Sequence, residues 1–237
     1  MKSNPDWYFD ERLHTGVDYS DEQIVSDYDK QHTKFRNYEN ESLRIVDALG
    51  ISKNDIVVDM GCGTGGVSLY LAKSCKKLYA IDISPKMIEL CNSKIAKEKI
   101  NNVFPICSGF LSYKHNGEPI DVVISNAVLH HLPDFWKLVA LKKINKILKP
   151  GGKFFLFDVV FSFPVEEHKK YISDWIEETR KEVGEKMMKE AIIHVKEEYS
   201  TWDWILEKML KLAGFKIESK SEETTNLITY ICLKRNR

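Results

Sequence analysis

The sequence predicts an α/β fold whose core is a mainly parallel β-sheet with helices on both faces. The first observation is an alternation of short apolar segments and amphipathic helical patterns along most of the 237 residues. The second is a glycine-rich turn that directly follows the β-branched run Ile56–Val58, which is typical of a strand covered on both faces. The third is the length, which suffices for one such domain with additions.

The composition argues against several classes of protein. Lysine plus arginine and aspartate plus glutamate each number 35, and a net charge of zero does not suit a large nucleic-acid interface. The first residues show no secretory signal, and no apolar run is long enough to span a bilayer. The five cysteines show neither C-x-x-C nor Cys/His ligand spacing. We therefore expect a cytoplasmic protein with no membrane or nucleic-acid partner, no disulfide and no metal.

The amino-terminal segment, residues 1–40, lies outside the alternation and is polar but rich in aromatic residues. We predict a separate arm there, followed by the main domain at residues 41–237. That domain opens with an amphipathic helix over Glu41–Leu49, which Gly50 ends.

The glycine turn after the first predicted strand, residues 56–59, fits two kinds of cofactor. Gly61, Gly63 and Gly66 satisfy the dinucleotide pattern G-x-G-x-x-G, which alone is a weak signal. Asp59 stands two residues before the first glycine. A carboxylate there would repel a pyrophosphate but suits a cationic amino-acid ligand.

The second predicted strand, Lys77–Asp82, ends in an acid about twenty residues past the glycines. At that spacing a carboxylate reaches the ribose hydroxyls of an adenosine. Asp82 therefore predicts adenosine without distinguishing between two adenosine cofactors. Ser84 and Pro85 begin the next helix, and Ile83 and Met87 are expected on the adenine side.

The remaining strands follow in order along the chain. The third ends at Cys107, the fourth ends at Asn126, and a long helix begins at Asp134. A Pro-Gly-Gly turn leads to the fifth strand, residues 153–160. Residues 162–201 interrupt the alternation with charged helical patterns, and a last helix and two closely spaced strands end the chain.

Three motifs stand out: D-x-G-x-G-x-G at Asp59–Gly65, the Val-Leu-His-His-Leu segment at 128–132, and Leu-x-Pro-Gly-Gly at 148–152. Together they resemble the motifs of class I S-adenosylmethionine (SAM)-dependent methyltransferases that act on small molecules. The resemblance covers residues 41–161 and 202–237. It implies a Rossmann-like sheet of seven strands in the order 3-2-1-4-5-7-6 with the last strand antiparallel. It also implies methyl transfer from SAM to a small-molecule acceptor, with S-adenosylhomocysteine as the product.

The resemblance also implies a set of cofactor-binding residues, with the arm contributing if it folds over the cofactor. Arg36 would then pair with the methionine carboxylate; alternatively the arm merely packs on the sheet. The family usually has an acid near Gly109 that bonds the adenine, so this chain departs from the pattern there. The expected residues are Tyr28, Arg36, Asp59, Gly61, Cys62, Gly63, Asp82, Ile83, Met87, Gly109, Phe110 and Asn126.

The sequence gives fewer signals for the residues that would bind the methyl acceptor. His130 or His131 could act as a general base, or one could pack in the turn while the other is solvated. Asp158 is either a substrate contact or a structural hydrogen-bond acceptor, because a buried carboxylate needs a partner. The 162–201 insertion is expected to cap the substrate, with contacts from Trp175, His194 and Tyr199; the alternative is a surface hairpin or a dimer contact.

Other functions remain open at this level. One is a SAM-binding protein without catalysis, another is an NAD(P)-dependent oxidoreductase, and a third is a methylase of macromolecules. Asp59 and the closing strand pair speak against the oxidoreductase. The sequence allows either a monomer or a homodimer.

Overall fold

The computed structural model describes residues 5–13, 15–19 and 21–235. Eight strands form the sheet within these residues. They are β1 (Ile56–Met60), β2 (Lys77–Asp82), β3 (Val103–Cys107), β4 (Ile120–Asn126), β5 (Leu148–Phe161), β6 (Thr201–Trp202), β7 (Phe215–Thr224) and β8 (Leu227–Lys234).

The strands follow the order β3-β2-β1-β4-β5-β8-β7, and the two-residue β6 pairs with the end of β5. β1 to β5 are parallel, whereas β8 runs antiparallel to both β5 and β7. With β6 counted apart, the predicted order of seven strands and the antiparallel last strand are confirmed. β5 begins five residues earlier than predicted, because Leu148 already pairs with Ile120 before the register shifts.

Eight α-helices accompany the sheet in the described part of the chain. They are α1 (Glu22–His32), α2 (Tyr38–Leu49), α3 (Gly66–Leu71), α4 (Pro85–Glu98), α5 (Asp134–Ile147), α6 (His168–Val183), α7 (Glu185–Glu197) and α8 (Asp203–Ala213). α2 begins three residues earlier than predicted, because the Asn37 side chain caps it by accepting the N–H of Asn40. α4 begins where predicted, with Ser84 as its N-cap and Pro85 in its first turn.

Alternate side chains of the strands enter two apolar layers on opposite faces of the sheet. In β1, Val57 packs into the layer of α2, α3 and α4, while its neighbour Val58 packs into the layer of α5 and α8. Both valines are fully buried. Burial of one such side chain contributes about 1.5–3 kcal/mol, so the layers hold the helices and the strand ends in fixed positions.

The arm contacts α5, the loop after β3 and the glycine turn. The ring of Tyr8 packs edge-on against Trp136 of α5, with 4.7 Å between ring centroids. The Glu11 carboxylate accepts hydrogen bonds from the backbone N–H groups of Leu111 and Ser112, each at 2.9 Å. Asp29 of α1 accepts a hydrogen bond from the Thr64 hydroxyl at 2.6 Å, which ties α1 to the glycine turn.

The 162–201 insertion contains α6 and α7, which Gly184 separates. Among the described residues, no helix is long and apolar enough to cross a membrane.

Candidate active site

A cavity of about 380 Å³ lies at the carboxyl ends of the parallel strands, where ligands bind in open α/β sheets. Five chain segments line it: the arm, the glycine turn, the end of β2 with the start of α4, the loop after β3, and the turn after β4. Their lining residues are Glu11, Arg12, Leu13, Thr15, Val17, Tyr19, Tyr28, Met60, Gly61, Gly63, Asp82, Ile83, Ser84, Pro85, Met87, Cys107, Ser108, Gly109, Phe110, Ala127, Val128, His131 and Leu132.

The glycine turn requires glycine for two reasons at Gly61. Its φ of +79° lies in the left-handed region, which is strained for other residues. A Cβ at this position would also lie 2.4 Å from the methyl carbons of Val128. The turn therefore brings bare backbone to the cavity wall.

Asp82 connects the end of β2 to the glycine turn. Its carboxylate accepts the backbone N–H of Gly63 at 2.8 Å through one oxygen and that of Ser84 at 2.9 Å through the other. Burial raises the pKa of Asp82, although these N–H donors favour the ionised form and oppose the rise. A carboxylate has about four lone-pair sites, more than its backbone donors use here, so Asp82 can still accept a hydrogen bond from a ligand in the cavity.

The structure places Asp59 inside the protein. Its side chain is 4% exposed and is not part of the cavity wall. The carboxylate lies behind the turn and accepts a hydrogen bond from the Ser68 hydroxyl of α3 at 2.5 Å. Burial raises the pKa of Asp59 to about 6. The sequence argument overlooked that the first residues of α3 offer this acid a partner inside the protein.

Arg36 also differs from expectation. Its guanidinium pairs with both carboxylate oxygens of Glu41, at 3.0 and 2.5 Å, and lies 5.1 Å from the centre of the Tyr38 ring. It is not part of the cavity wall, because this bidentate pair holds it at the start of α2. Tyr28, the other residue expected from the arm, does line the cavity.

Two further expected cofactor contacts are not part of the wall. The thiol of Cys62 is buried and hydrogen-bonds to Cys91, which together with burial raises its pKa. Asn126 is the last residue of β4, and the chain turns after it at Ala127, which has a φ of +58° and does line the cavity. The structure does bring Tyr28, Gly61, Gly63, Asp82, Ile83, Met87, Gly109 and Phe110 together.

The two adjacent histidines have different environments. His131 lines the cavity, and burial together with the neighbouring His130 lowers its pKa to about 3. His130 lies behind it, with Nδ1 against Asp158 and Nε2 at 3.3 Å from Glu198. Burial alone would lower the pKa of His130, but the two carboxylates outweigh it and raise the pKa.

Asp158 is a hydrogen-bond acceptor inside the protein and does not line the cavity. It is 2% exposed and bonds to the ring of His130 and to the backbone N–H of Val159. Burial would raise its pKa, but the His130 cation lowers it below the ordinary value. These contacts are those of the structural hydrogen-bond acceptor, the second of the two roles expected for Asp158.

The three residues expected to contact substrate from the 162–201 insertion are also absent from the described cavity wall. His194 pairs with Glu198 and with the Ser200 hydroxyl, and the Trp175 ring packs edge-on against His194. Tyr199 donates its backbone N–H to the carbonyl of His130. These contacts place the carboxyl-terminal part of the insertion behind the His130 turn.

Sequence reasoning missed several residues of the site. Leu13, Thr15, Val17 and Tyr19 line the cavity from an irregular segment that carries no periodic pattern. Glu198 meets the histidine pair from a position 67 residues further on in the chain. No local spacing indicates such a contact; the aromatic content of the arm was the only signal for its part of the wall.

Comparisons with known proteins agree with this geometry. Residues 57–152 match the family model described as a methyltransferase domain. An uncharacterized methyltransferase of Geobacillus sp. (strain WCH70) is 30% identical over 198 residues, covering 83% of this chain and 84% of the relative. The chain belongs to the class I SAM-dependent methyltransferases.

Other members of the family show how far the similarity reaches. Methyltransferases from two further Geobacillus species and from Anoxybacillus flavithermus are 33% identical, and the chain spans 61–62% of their length. A SAM-dependent methyltransferase structure from Clostridium acetobutylicum has a TM-score of 0.67 at 15% identity, covering 90% of this chain and 98% of that one. A magnesium protoporphyrin IX methyltransferase from Synechocystis, with bound S-adenosylhomocysteine, has a TM-score of 0.61 at 19% identity, covering 95% and 91%. These structures show the fold that this methyltransferase shares.

SAM is the cofactor of this methyltransferase, and the residues present fit it. The cavity combines a free acceptor at Asp82, exposed backbone at Gly61 and Gly63, and apolar side chains at Ile83 and Met87. A ribose needs an acceptor for its hydroxyls, and an adenine ring needs apolar surfaces.

Proposed function

We propose that this methyltransferase acts on an apolar small molecule, which binds in the same cavity as SAM. The observation that carries the proposal is the continuity of the cavity from Asp82 to His131 beneath the arm. At about 380 Å³ it falls within the ~300–1,000 Å³ typical of small-molecule pockets.

We assign the cofactor to the half of the cavity around the end of β2. Asp82 would accept the ribose hydroxyls, Ile83 and Met87 would contact the adenine, and the backbone at Gly61 and Gly63 would face the methionine portion. When bound, SAM supplies an electrophilic methyl group on a positively charged sulfur.

Glu11 of the arm is a further candidate for the adenine side. Its carboxyl carbon lies only 2.3 Å from the point where a Cβ on Gly109 would stand, so glycine there makes room for the arm's carboxylate. Glu11 lines the cavity and retains acceptor capacity beyond its bonds to Leu111 and Ser112. We infer that Glu11 supplies an acceptor for the adenine amino group.

The other half of the cavity is assigned to the methyl acceptor. Its wall is formed by Leu13, Val17, Val128 and Leu132, with His131 as the adjacent titratable group. A pKa of about 3 keeps His131 uncharged at neutral pH, so it can accept a hydrogen bond but is a weak base. Alignment in a cavity with little water can supply much of the rate, because methyl transfer disperses charge.

We propose that the arm, residues 1–40, closes over the bound ligands, and that the 162–201 insertion supports the acceptor half from behind. The arm's contribution of Leu13, Val17, Tyr19 and Tyr28 to the wall supports this assignment. The contacts of His194 and Glu198 with the histidine turn support the placement of the insertion behind the acceptor half.

The test is a transfer assay with methyl-labelled SAM and a cell extract separated into small-molecule and macromolecular fractions. We expect the label in organic-extractable compounds of the small-molecule fraction, together with release of S-adenosylhomocysteine. Mass spectrometry then identifies the methylated compound.

Two results would contradict the proposal. Label confined to protein or nucleic acid would make this a macromolecular methylase. Tight SAM binding without S-adenosylhomocysteine release in any fraction would make it a binding protein. An Asp82→Ala variant, which should bind SAM weakly, is the control for label that enters the fractions nonenzymatically.

A further inference from the structure

We propose that the cluster of His130, His131 and Glu198 binds a divalent transition-metal ion, with Zn²⁺ as the ion its ligands suit best. One ligand atom from each residue lies within 4.8 Å of the other two. Two imidazoles and one carboxylate, with a further position left open, form a recurrent catalytic zinc site in proteins. No Cys/His spacing indicates this site, because Glu198 is distant in sequence.

The separation of one pair of ligand atoms, His130 Nε2 and Glu198 Oε2, matches that expected around a metal. His130 Nε2 and Glu198 Oε2 are 3.3 Å apart, whereas a charge-assisted N–H···O bond is about 2.7–2.9 Å. Two ligands at ~2.0–2.1 Å from a tetrahedral Zn²⁺ are separated by about 3.3–3.4 Å. The side chains of both residues are under a tenth exposed.

The surroundings of the cluster supply the partners that metal ligands need. The Nδ1 atom of His130 faces Asp158, and this contact leaves Nε2 to face Glu198. The Glu198 carboxylate in turn pairs with His194, which bonds to the hydroxyl of Ser200. An imidazole held by a carboxylate and a ligand carboxylate held by a second donor are the usual supports of a bound metal.

The position of His131 directs the open coordination site toward the cavity. His131 lines the cavity wall on the acceptor side, whereas His130 and Glu198 lie behind it. The fourth ligand would therefore be a water molecule or an oxygen, nitrogen or sulfur atom of the acceptor. This role in acceptor binding rests on the proposed function, whereas the metal site itself does not.

The experiment uses the full chain, freed of metal by a chelator and titrated with Co²⁺, which reports tetrahedral coordination by its visible absorption. We expect one equivalent to bind and Zn²⁺ to displace it. His131→Gln and Glu198→Gln should each weaken binding at least tenfold, and Asp158→Asn should weaken it about 10–100-fold. His168→Gln, at an exposed histidine of α6, is the matched control and should bind like the wild type.

Thermal unfolding of each metal-free variant identifies those that are folded. Because Glu198 also balances the charge of His130, the decisive variant is His131→Gln on the cavity wall. The proposal is overturned if wild type binds no Co²⁺ saturably, or if folded His131→Gln binds it as tightly as wild type. SAM affinity, measured separately, tests the proposed function independently of this outcome.

Discussion

The carboxylate of Asp82 accepts the backbone N–H of Gly63 at 2.8 Å, which joins the end of β2 to the glycine turn after β1. The acid expected to bind the ribose therefore also fixes the turn that faces the rest of the cofactor. One side chain therefore fixes the end of β2 and the glycine turn relative to each other.

We predict that Asp82→Ala weakens SAM binding at least tenfold. The variant loses a charged acceptor for the ligand and frees the Gly63 N–H, and such a bond contributes about 1.5–3 kcal/mol. Isothermal titration calorimetry with SAM measures the effect. Glu89→Ala, on the exposed side of α4, is the control. If Asp82→Ala binds SAM as tightly as the wild type, the assignment of Asp82 to the cofactor is refuted.

Asp59→Asn should change the pH dependence of stability. The folded-state pKa of Asp59 is about 6, above its ordinary value of 3.8, so between these values the folded protein holds a proton that the unfolded chain has released. The retained proton contributes to the free energy of unfolding below pH 3.8. This contribution, about 3 kcal/mol, is lost as the pH rises through 6.

Asparagine cannot ionise and can still accept the Ser68 hydroxyl. We therefore expect Asp59→Asn to gain stability relative to wild type as the pH rises from 4 to 7. Urea unfolding of both proteins across this range gives the difference, in which the shifts of groups that do not interact with Asp59 cancel. Parallel pH profiles would show that Asp59 has an ordinary pKa.

Gly61→Ala should destabilise the protein by two separable effects. The left-handed backbone costs a non-glycine residue about 1–2 kcal/mol, and the overlap with Val128 adds about 1–3 kcal/mol. In a Val128→Ala background the overlap with the two methyl carbons is removed and only the 2.8 Å approach of the residue-128 Cβ remains, so the cost of Gly61→Ala should fall. A double-mutant cycle by chemical denaturation measures the coupling.

Gly151→Ala is the matched control for this cycle. Gly151 has a φ of +70°, but a Cβ there would meet no atom within 4 Å. Its substitution should lower the free energy of unfolding only through the left-handed backbone, and it should show no coupling to Val128→Ala. A Gly61→Ala cost that is the same in both backgrounds would mean that the turn relaxes away from Val128.

Glu11→Ala should loosen the arm and speed up SAM dissociation severalfold. The Glu11 carboxylate accepts two backbone N–H groups and the Ser112 hydroxyl, and each such bond contributes about 1 kcal/mol net. Hydrogen exchange at Leu111 and Ser112 should accelerate at least tenfold. Asp10→Asn, whose acid accepts the local N–H of Arg12, should leave exchange there unchanged.

The fold could be predicted from sequence because its signals are local. Continuous apolar runs such as Val57 and Val58, glycine turns and helix caps such as Ser84 each act within a few residues. The part of the site that follows from strand ends, including Asp82 and Ile83, was predicted for the same reason.

The direction and partner of a side chain are decided by distant residues, which local spacing does not reveal. Asp59 was expected to face a ligand, yet the hydroxyl of Ser68 holds it inside. Arg36 was expected to bind a carboxylate of the cofactor, yet Glu41 supplies one within the protein. Neither outcome is visible in spacing, because each depends on which of several partners the packed chain brings within reach.

None of the described residues between 5 and 19 belongs to a helix or a strand, although several form the cavity wall. We therefore expect the sheet and its two apolar layers to form before this segment docks. During refolding, competence to bind SAM should arise later than the ordered core, when the amino-terminal segment docks onto a scaffold that has already formed.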